Sequence, residues 1–163
     1  MTDSQKRFLH LCVVEQITYD EISEILDVPK STLTTWYELL RQEREEIAAI
    51  RRLWTRKNRP GTSFSHFYDW YLHQDRKCHY CGITEQEIGE LLTREKLKTK
   101  RLSTRGRKLE LERRNPVLPY SDLGNLTLCC YWCNNAKTDT FTDEEFNRVG
   151  AVFKSIWKDR LEK

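Results

Sequence analysis

Residues 107–137 read RKLELERRNPVLPYSDLGNLTLCCYWCNNAK, and the fold is decided in this stretch. From Arg107 to Arg114 apolar and charged side chains alternate, the period of a strand with one buried face, and Leu109 and Leu111 share that face. Pro116 to Asp122 breaks the pattern with turn-forming residues. Leu123-Gly124-Asn125-Leu126-Thr127-Leu128 then predicts a second short strand, and CYWCNNAK predicts a helix beginning at or just after Cys133. The order is strand, loop, strand, helix.

Working outward, the chain holds six cysteines, of which four form two Cys-x-x-Cys pairs, Cys78/Cys81 and Cys130/Cys133. Each pair makes a tight knuckle whose sulfurs point the same way, and two knuckles complete a tetrahedral thiolate site for Zn2+. Disulfide or redox use is the other reading of such pairs; the second pair and a reducing compartment favour metal. With all four positions filled by protein, the zinc is expected to be structural. Cys12 and Cys129 remain over, and Cys129 is expected to be a buried thiol. Between the pairs, Thr84-Glu85-Gln86-Glu87 is a capping box that opens a helix with Ile88, Leu91 and Leu92 inward. A second box, Thr142-x-x-Glu145, opens a last helix with Phe146, Val149, Phe153, Ile156 and Trp157 at helical spacing.

Residues 76–146 resemble the HNH endonuclease family. Leu109-Glu110-Leu111-Glu112-Arg113-Arg114-Asn115-Pro116 fills the frame in which that family writes Leu-Glu-Ile-Asp-His-Ile-x-Pro. Asn125-Leu126-Thr127-Leu128-Cys129-Cys130 matches its second strand, and Cys133-Asn134-Asn135-Ala136-Lys137 its helix. The resemblance implies a zinc-braced ββα-metal fold and hydrolysis or nicking of phosphodiester bonds in DNA. It implies one divalent ion, Mg2+ or Mn2+, held by Glu112 and Asn134, and it makes Glu112, Arg113, Asn125 and Asn134 the catalytic candidates. It also suggests a phage or mobile-element setting.

Two positions depart from the family pattern. Glu112 replaces Asp, which keeps a hard oxygen ligand on a longer arm. Arg113 replaces the general-base His, and a guanidinium with a pKa above about 12 cannot take a proton. Three consequences stay open. A base comes from elsewhere, with Glu110, Asp122 and His79 as candidates, or metal-bound water ionises without one. Alternatively Arg113 holds the phosphate through its planar fork. Finally, the protein is a catalytically impaired DNA-binding adaptor or regulator. Asn134 has a second possible role as a helix cap and Asn125 one as a pin between the loop and the second strand. Lys137 either reaches phosphate or is a solvated helix charge.

Charge points to the same partner. The 163 residues carry 28 Lys plus Arg and 25 Asp plus Glu, a formal +3. Residues 51–59 contain five basic and no acidic side chains, and residues 94–114 contain ten basic and three acidic ones, which leaves the rest of the chain with 13 basic and 22 acidic. Two cationic segments on an acidic protein read as a nucleic-acid footprint, or as solvated surface. No apolar run is long enough to span a membrane, and the N-terminus does not read as a signal peptide, so a cytoplasmic protein is expected.

Upstream, apolar residues recur at helical spacing: Phe8, Leu9, Cys12 and Val13, then Ile22, Ile25 and Leu26, then Leu33, Trp36, Tyr37 and Leu40. Pro29 ends one helix and Ser31 can cap the next. TYDEISEILDVPKSTLTTWYELL resembles a helix-turn-helix DNA-binding module, with Tyr19–Leu26 as bracing helix and Ser31 to about Gln42 as recognition helix. A helical hairpin that packs on a partner is the other reading. A third helix, Glu43 to Arg56, carries Ile47, Ile50, Leu53 and Trp54 on one face. The expected architecture is α+β and mostly helical: a helix-turn-helix-like bundle over 1–58, a linker over 59–63, and an HNH-like domain over 64–163. Expected DNA contacts are Lys30, Thr32, Thr34 and Thr35 on the recognition helix, and Arg51, Arg52, Arg56 and Lys57 at the exit of the bundle. Lys100, Arg101, Arg105, Arg107 and Lys108 in the basic loop complete them, with Lys137. DNA is the expected partner, with a recruiting protein or nucleoprotein complex as a further one.

Overall fold

The computed structural model describes residues 1–56, 61–98 and 105–162. The chain divides into two compact units, Met1–Leu72 and His73–Lys163.

In the first unit, α1 (Asp3–Leu9) starts at a capping box in which Thr2 and Gln5 satisfy each other's backbone N–H groups. It runs into a π-helical turn, His10–Glu15, that ends at left-handed Gln16. The wider turn changes the inward face. Phe8, Leu9, Leu11 and Val14 are buried, whereas Cys12 and Val13, expected inward, are half-buried. A second box, Thr18 with Glu21, opens α2 (Tyr19–Leu26), and α3 (Lys30–Leu39) follows after Pro29. The turn between them is tied down: Asp27 adopts the left-handed conformation, Val28 N donates to Ser23 O at 3.2 Å, and Ser23 Oγ donates to Val28 O at 2.7 Å. Ile22 and Leu33 are wholly buried. The chain leaves helical geometry at buried Leu40, so α3 ends three residues before the expected Gln42 and α4 (Arg41–Arg56) begins two before Glu43.

Helix α5 (Phe64–Leu72) belongs to this unit, so the compact units part after Leu72, beyond the expected 59–63 linker. The cause is aromatic packing on α4. Phe64 lies against Trp54, with ring centroids 5.5 Å apart, and under the Arg51 guanidinium at 3.8 Å.

In the second unit, the Cys78–Cys81 knuckle is closed by Gly82, whose φ of 75° suits glycine, and by Cys78 N donating to Ile83 O at 2.8 Å. Helix α6 (Glu85–Thr93) begins at the expected Thr84/Glu87 box, with Ile88 and Leu91 buried. Strand β1 (Glu110–Arg113) pairs antiparallel with β2 (Leu126–Cys129), Glu112 opposite Thr127 and Glu110 opposite Cys129. A 3-10 turn, Leu123–Asn125, precedes β2 where the sequence reads as strand. His79 N donates to Leu128 O at 2.9 Å, which lays the knuckle along the other edge of β2. Helix α7 (Tyr131–Lys137) starts two residues earlier than expected because the second knuckle is its first turn: Cys130 is the N-cap and its Sγ accepts from Cys133 N at 3.4 Å. Helix α8 (Asp143–Glu162) closes the unit. It buries Phe146, Gly150 and Trp157, while Val149 and Ile156, expected inward, are more than a third exposed.

Candidate metal centre and nuclease site

The Cys78–Cys81 knuckle and the first turn of α7 bring four buried thiols together. The Sγ atoms of Cys78, Cys81, Cys130 and Cys133 all lie within 4.8 Å of one another. Cys81 and Cys130 are 3.7 Å apart, close to the edge of about 3.8 Å that a tetrahedron of Zn–S bonds of about 2.3 Å requires. The donor set, spacing and burial fit a structural metal. Among the described residues no other three Cys, His, Asp or Glu side chains converge in this way. Cys129 is buried beside the cluster, its Sγ 3.9 Å from that of Cys78, and burial pushes its thiol pKa well up.

At the β1–α7 junction, strand alternation places Glu110 and Glu112 on one face of β1. Glu112 is 4% exposed, and one carboxylate oxygen accepts from Arg113 N at 2.8 Å. Asn134, one turn into α7, donates from Nδ2 to Glu110 Oε2 at 2.7 Å. Glu110 is also clamped by Arg105, whose Nε donates to Oε1 at 2.8 Å and whose Nη2 donates to Oε2, while the guanidinium stands over the Tyr131 ring. Carboxylate and amide oxygens are the donor types that hard divalent ions take; here Asn134 bonds Glu110, and Glu112 lies two residues further along the same face of β1. The carboxylate bonded to Asn134 is Glu110, which was expected as a base candidate. The alternation that pairs 110 with 112 was the available signal.

Asn125 is buried and pins the loop. Its Oδ1 accepts from Asn115 N at 2.8 Å and its Nδ2 donates to Asn115 O at 3.0 Å. Arg113 is 18% exposed at its side chain. Its Nη2 pairs with Asp139, Nη1 donates to Leu118 O at 3.4 Å, and the guanidinium stands over Tyr120. Neither Asp139 nor Tyr120 carries a sequence signal for this role.

Beside this site, Asp143 receives Arg114 Nε at 3.1 Å and stands 3.1 Å from His79 Nε2. Partial burial works to raise the Asp143 pKa, but His79, Arg114 and Tyr80 outweigh it and hold the carboxyl below its ordinary value. Burial and this carboxylate push the Tyr80 hydroxyl far up. Asp122, the remaining base candidate, is exposed and accepts from Gly124 N at 2.9 Å.

The expected DNA contacts divide. Lys137 is wholly buried and donates from Nζ to Arg113 O at 3.0 Å, so it does not face solvent as a helix charge would. It sits one turn after Cys133 on the inward side of α7, which the pattern Cys-x-x-x-Lys could have revealed. Arg51 is a strut: Nη2 donates to Val13 O at 2.5 Å and Val14 O at 3.2 Å. Arg105 is engaged with Glu110, and Lys108 with Glu85 at 3.0 Å. Arg52, Arg56 and Arg107 are exposed. On α3, Lys30 is exposed and pairs with Asp20, Thr32 is half-buried, and Thr34 and Thr35 are exposed with their hydroxyls bonded to Lys30 O and Ser31 O. Lys57, Lys100 and Arg101 lie outside the described residues. No helix among the described residues is long and apolar enough to cross a membrane.

No protein-family model and no curated protein matches the chain. The structure is similar to that of the rare-cutting HNH restriction endonuclease PacI, described for an extraordinary mechanism of DNA perturbation. The likeness carries 26% identity over 68% of this chain and 77% of that one, with a TM-score of 0.51. With its two-stranded sheet, the helix that follows it and the four-cysteine cluster, the chain has a mostly helical α+β fold of HNH type and resembles the HNH endonucleases.

Proposed function

We propose that the chain is a metal-dependent DNA endonuclease of HNH type that hydrolyses or nicks phosphodiester bonds. The observation that supports this reading is the bond between Asn134 and Glu110, which shares a face of β1 with Glu112, at the β1–α7 junction of a fold similar to an HNH restriction endonuclease. Glu112 and Asn134 would hold Mg2+ or Mn2+, with Glu110 bonded to Asn134 beside them. A divalent ion bound there supplies charge stabilisation to the phosphate and the leaving oxygen. Arg105 holds Glu110 in place, Asn125 fixes the loop that follows β1, and Zn2+ in the four-cysteine cluster braces both ends of the motif. Exposed Arg52, Arg56 and Arg107 contact the DNA backbone, which makes binding fall steeply with salt. Helices α2 and α3 act as a helix-turn-helix module, presenting Thr34 and Thr35 to the duplex.

A second reading has one observation in its favour: Arg113 occupies the base position and cannot accept a proton. It makes the chain a DNA-binding adaptor that retains the fold. Supercoiled plasmid incubated with Mg2+ or Mn2+ separates the two. Nicking by the wild type that Glu112→Ala abolishes supports the endonuclease; an inert wild type that gains activity on Arg113→His supports the adaptor. General-base loss typically costs about 10²–10⁴-fold, so the assay must resolve rates over that range.

A further inference from the structure

Arg113 presents a guanidinium that is unequally satisfied. Its Nε is buried without a hydrogen-bond partner, Nη1 reaches only the distant Leu118 carbonyl, and Nη2 is held by the Asp139 carboxylate. The Arg113 side chain is 18% exposed and its guanidinium is flanked by the Tyr120 ring, whereas Asp139 is 79% exposed at its side chain. The strongest partner of a largely sequestered cation is therefore the one most open to water. A second buried cationic group, the Lys137 ammonium, meets the same end of β1 through the Arg113 carbonyl.

The turn that carries Asp139 is held in an unusual shape. Thr138 has φ 52° and ψ −157°, a positive φ that β-branched residues rarely adopt. Its hydroxyl donates to Lys137 O at 2.7 Å and accepts from Thr140 N at 3.3 Å. Such backbone persists where its surroundings impose it, and here it delivers a carboxylate to the residue next to Glu112.

We propose that Arg113 is a seat for a DNA phosphodiester and that Asp139 is an internal anion that occupies this seat until DNA displaces it. This rests on the DNA-cleaving or DNA-binding reading above. A phosphodiester carries the same unit charge as the carboxylate and offers two non-bridging oxygens to the guanidinium fork, including the unpartnered Nε. Binding exchanges one anion for another, and Asp139 swings into solvent. The latch lowers DNA affinity without touching DNA.

The test is a double-mutant cycle read by fluorescence anisotropy, using a labelled duplex of mixed sequence with no added divalent ion. Circular dichroism checks that each variant is folded. Asp139→Asn is expected to tighten binding roughly twofold to fivefold, the scale of one exposed ion pair. Arg113→Gln is expected to weaken it and to make the log K against log salt slope shallower by about 0.9, one phosphate contact. In the Arg113→Gln background, Asp139→Asn is expected to change nothing.

Tightening by the same factor with and without Arg113 would overturn the latch, because any removed negative charge would then suffice. Weaker binding by Asp139→Asn would overturn it too, making Asp139 a positioning residue for Arg113. If neither wild type nor Asp139→Asn binds the duplex, the DNA reading itself fails, and the latch with it.

Discussion

Replacing Gly150 by alanine places a methyl group against the first cysteine knuckle. A Cβ at this position would lie 2.6 Å from Tyr80 O and 2.8 Å from Tyr80 C and Cβ. Two of these atoms are backbone, and Tyr80 stands between Cys78 and Cys81 of the metal cluster, so the knuckle cannot yield without moving a ligand and α8 must otherwise be pushed off its packing. Two terms of opposite sign compete. Alanine in a helix interior is favoured over glycine by about 0.8–1.0 kcal/mol. Overpacking a tight contact costs about 1–3 kcal/mol, and immobile backbone puts this site at the upper end. The net expectation is a loss of about 1–2 kcal/mol.

Gly89 in α6 supplies the control, because a Cβ there meets nothing within 4 Å. Gly89→Ala is expected to gain about 0.8–1.0 kcal/mol from helix propensity alone. The two variants thus separate by about 2–3 kcal/mol although the chemical change is identical. Urea unfolding followed by tryptophan fluorescence reads the difference, with Trp132 and Trp157 reporting on the second unit. Metal retention against a chelator should fall in Gly150→Ala and not in Gly89→Ala. A Gly150→Ala protein as stable as Gly89→Ala would refute the close approach of α8 to the knuckle.

Three further outcomes follow from the same geometry. Cys78→Ser should abolish stoichiometric metal binding and unfold much of the second unit, since metal and folding free energy are shared in such clusters; metal analysis and circular dichroism check both. Asn125→Ala removes two bonds to the Asn115 backbone and should cost about 1–3 kcal/mol in urea unfolding. Asp143 has a folded pKa below its ordinary 3.8, so its contribution is complete above that value and is lost as pH falls through the lower one. Asp143→Asn should therefore lower stability at neutral pH and flatten the loss below about pH 4, measured by thermal melts across pH.

Much of the fold was legible in particular residues. The three expected elements of the nuclease motif appear, and the Thr84/Glu87 and Thr142/Glu145 boxes open α6 and α8 as local hydrogen-bond chemistry dictates. Boundaries shifted where a local signal had a tertiary competitor. Cys130 caps α7 with its sulfur, so the knuckle became helix. Phe64 packs on Trp54, so α5 joined the first unit across a Pro-Gly sequence that reads as a linker. On α8 the spacing allowed a broad apolar face; Phe146 and Trp157 are covered by Tyr80 and Trp132, while Val149 and Ile156 stay more than a third exposed.

Sequence alone determined the composition of the metal cluster, because Cys-x-x-Cys spacing makes the knuckle locally and only one other such pair exists to complete it. It also determined which side chains share a face, since helical and strand periods are local. Partners were decided by tertiary structure. Asn134 meets Glu110 across 24 residues, Arg51 reaches Val13 across 38, and Lys137 is drawn under the end of β1. A periodic pattern says that a cation lies on a given face, and only packing says whether water, a carbonyl or a carboxylate waits there. The substitution at Arg113 was plain in the chain; that its charge is met by Asp139 is a property of the fold.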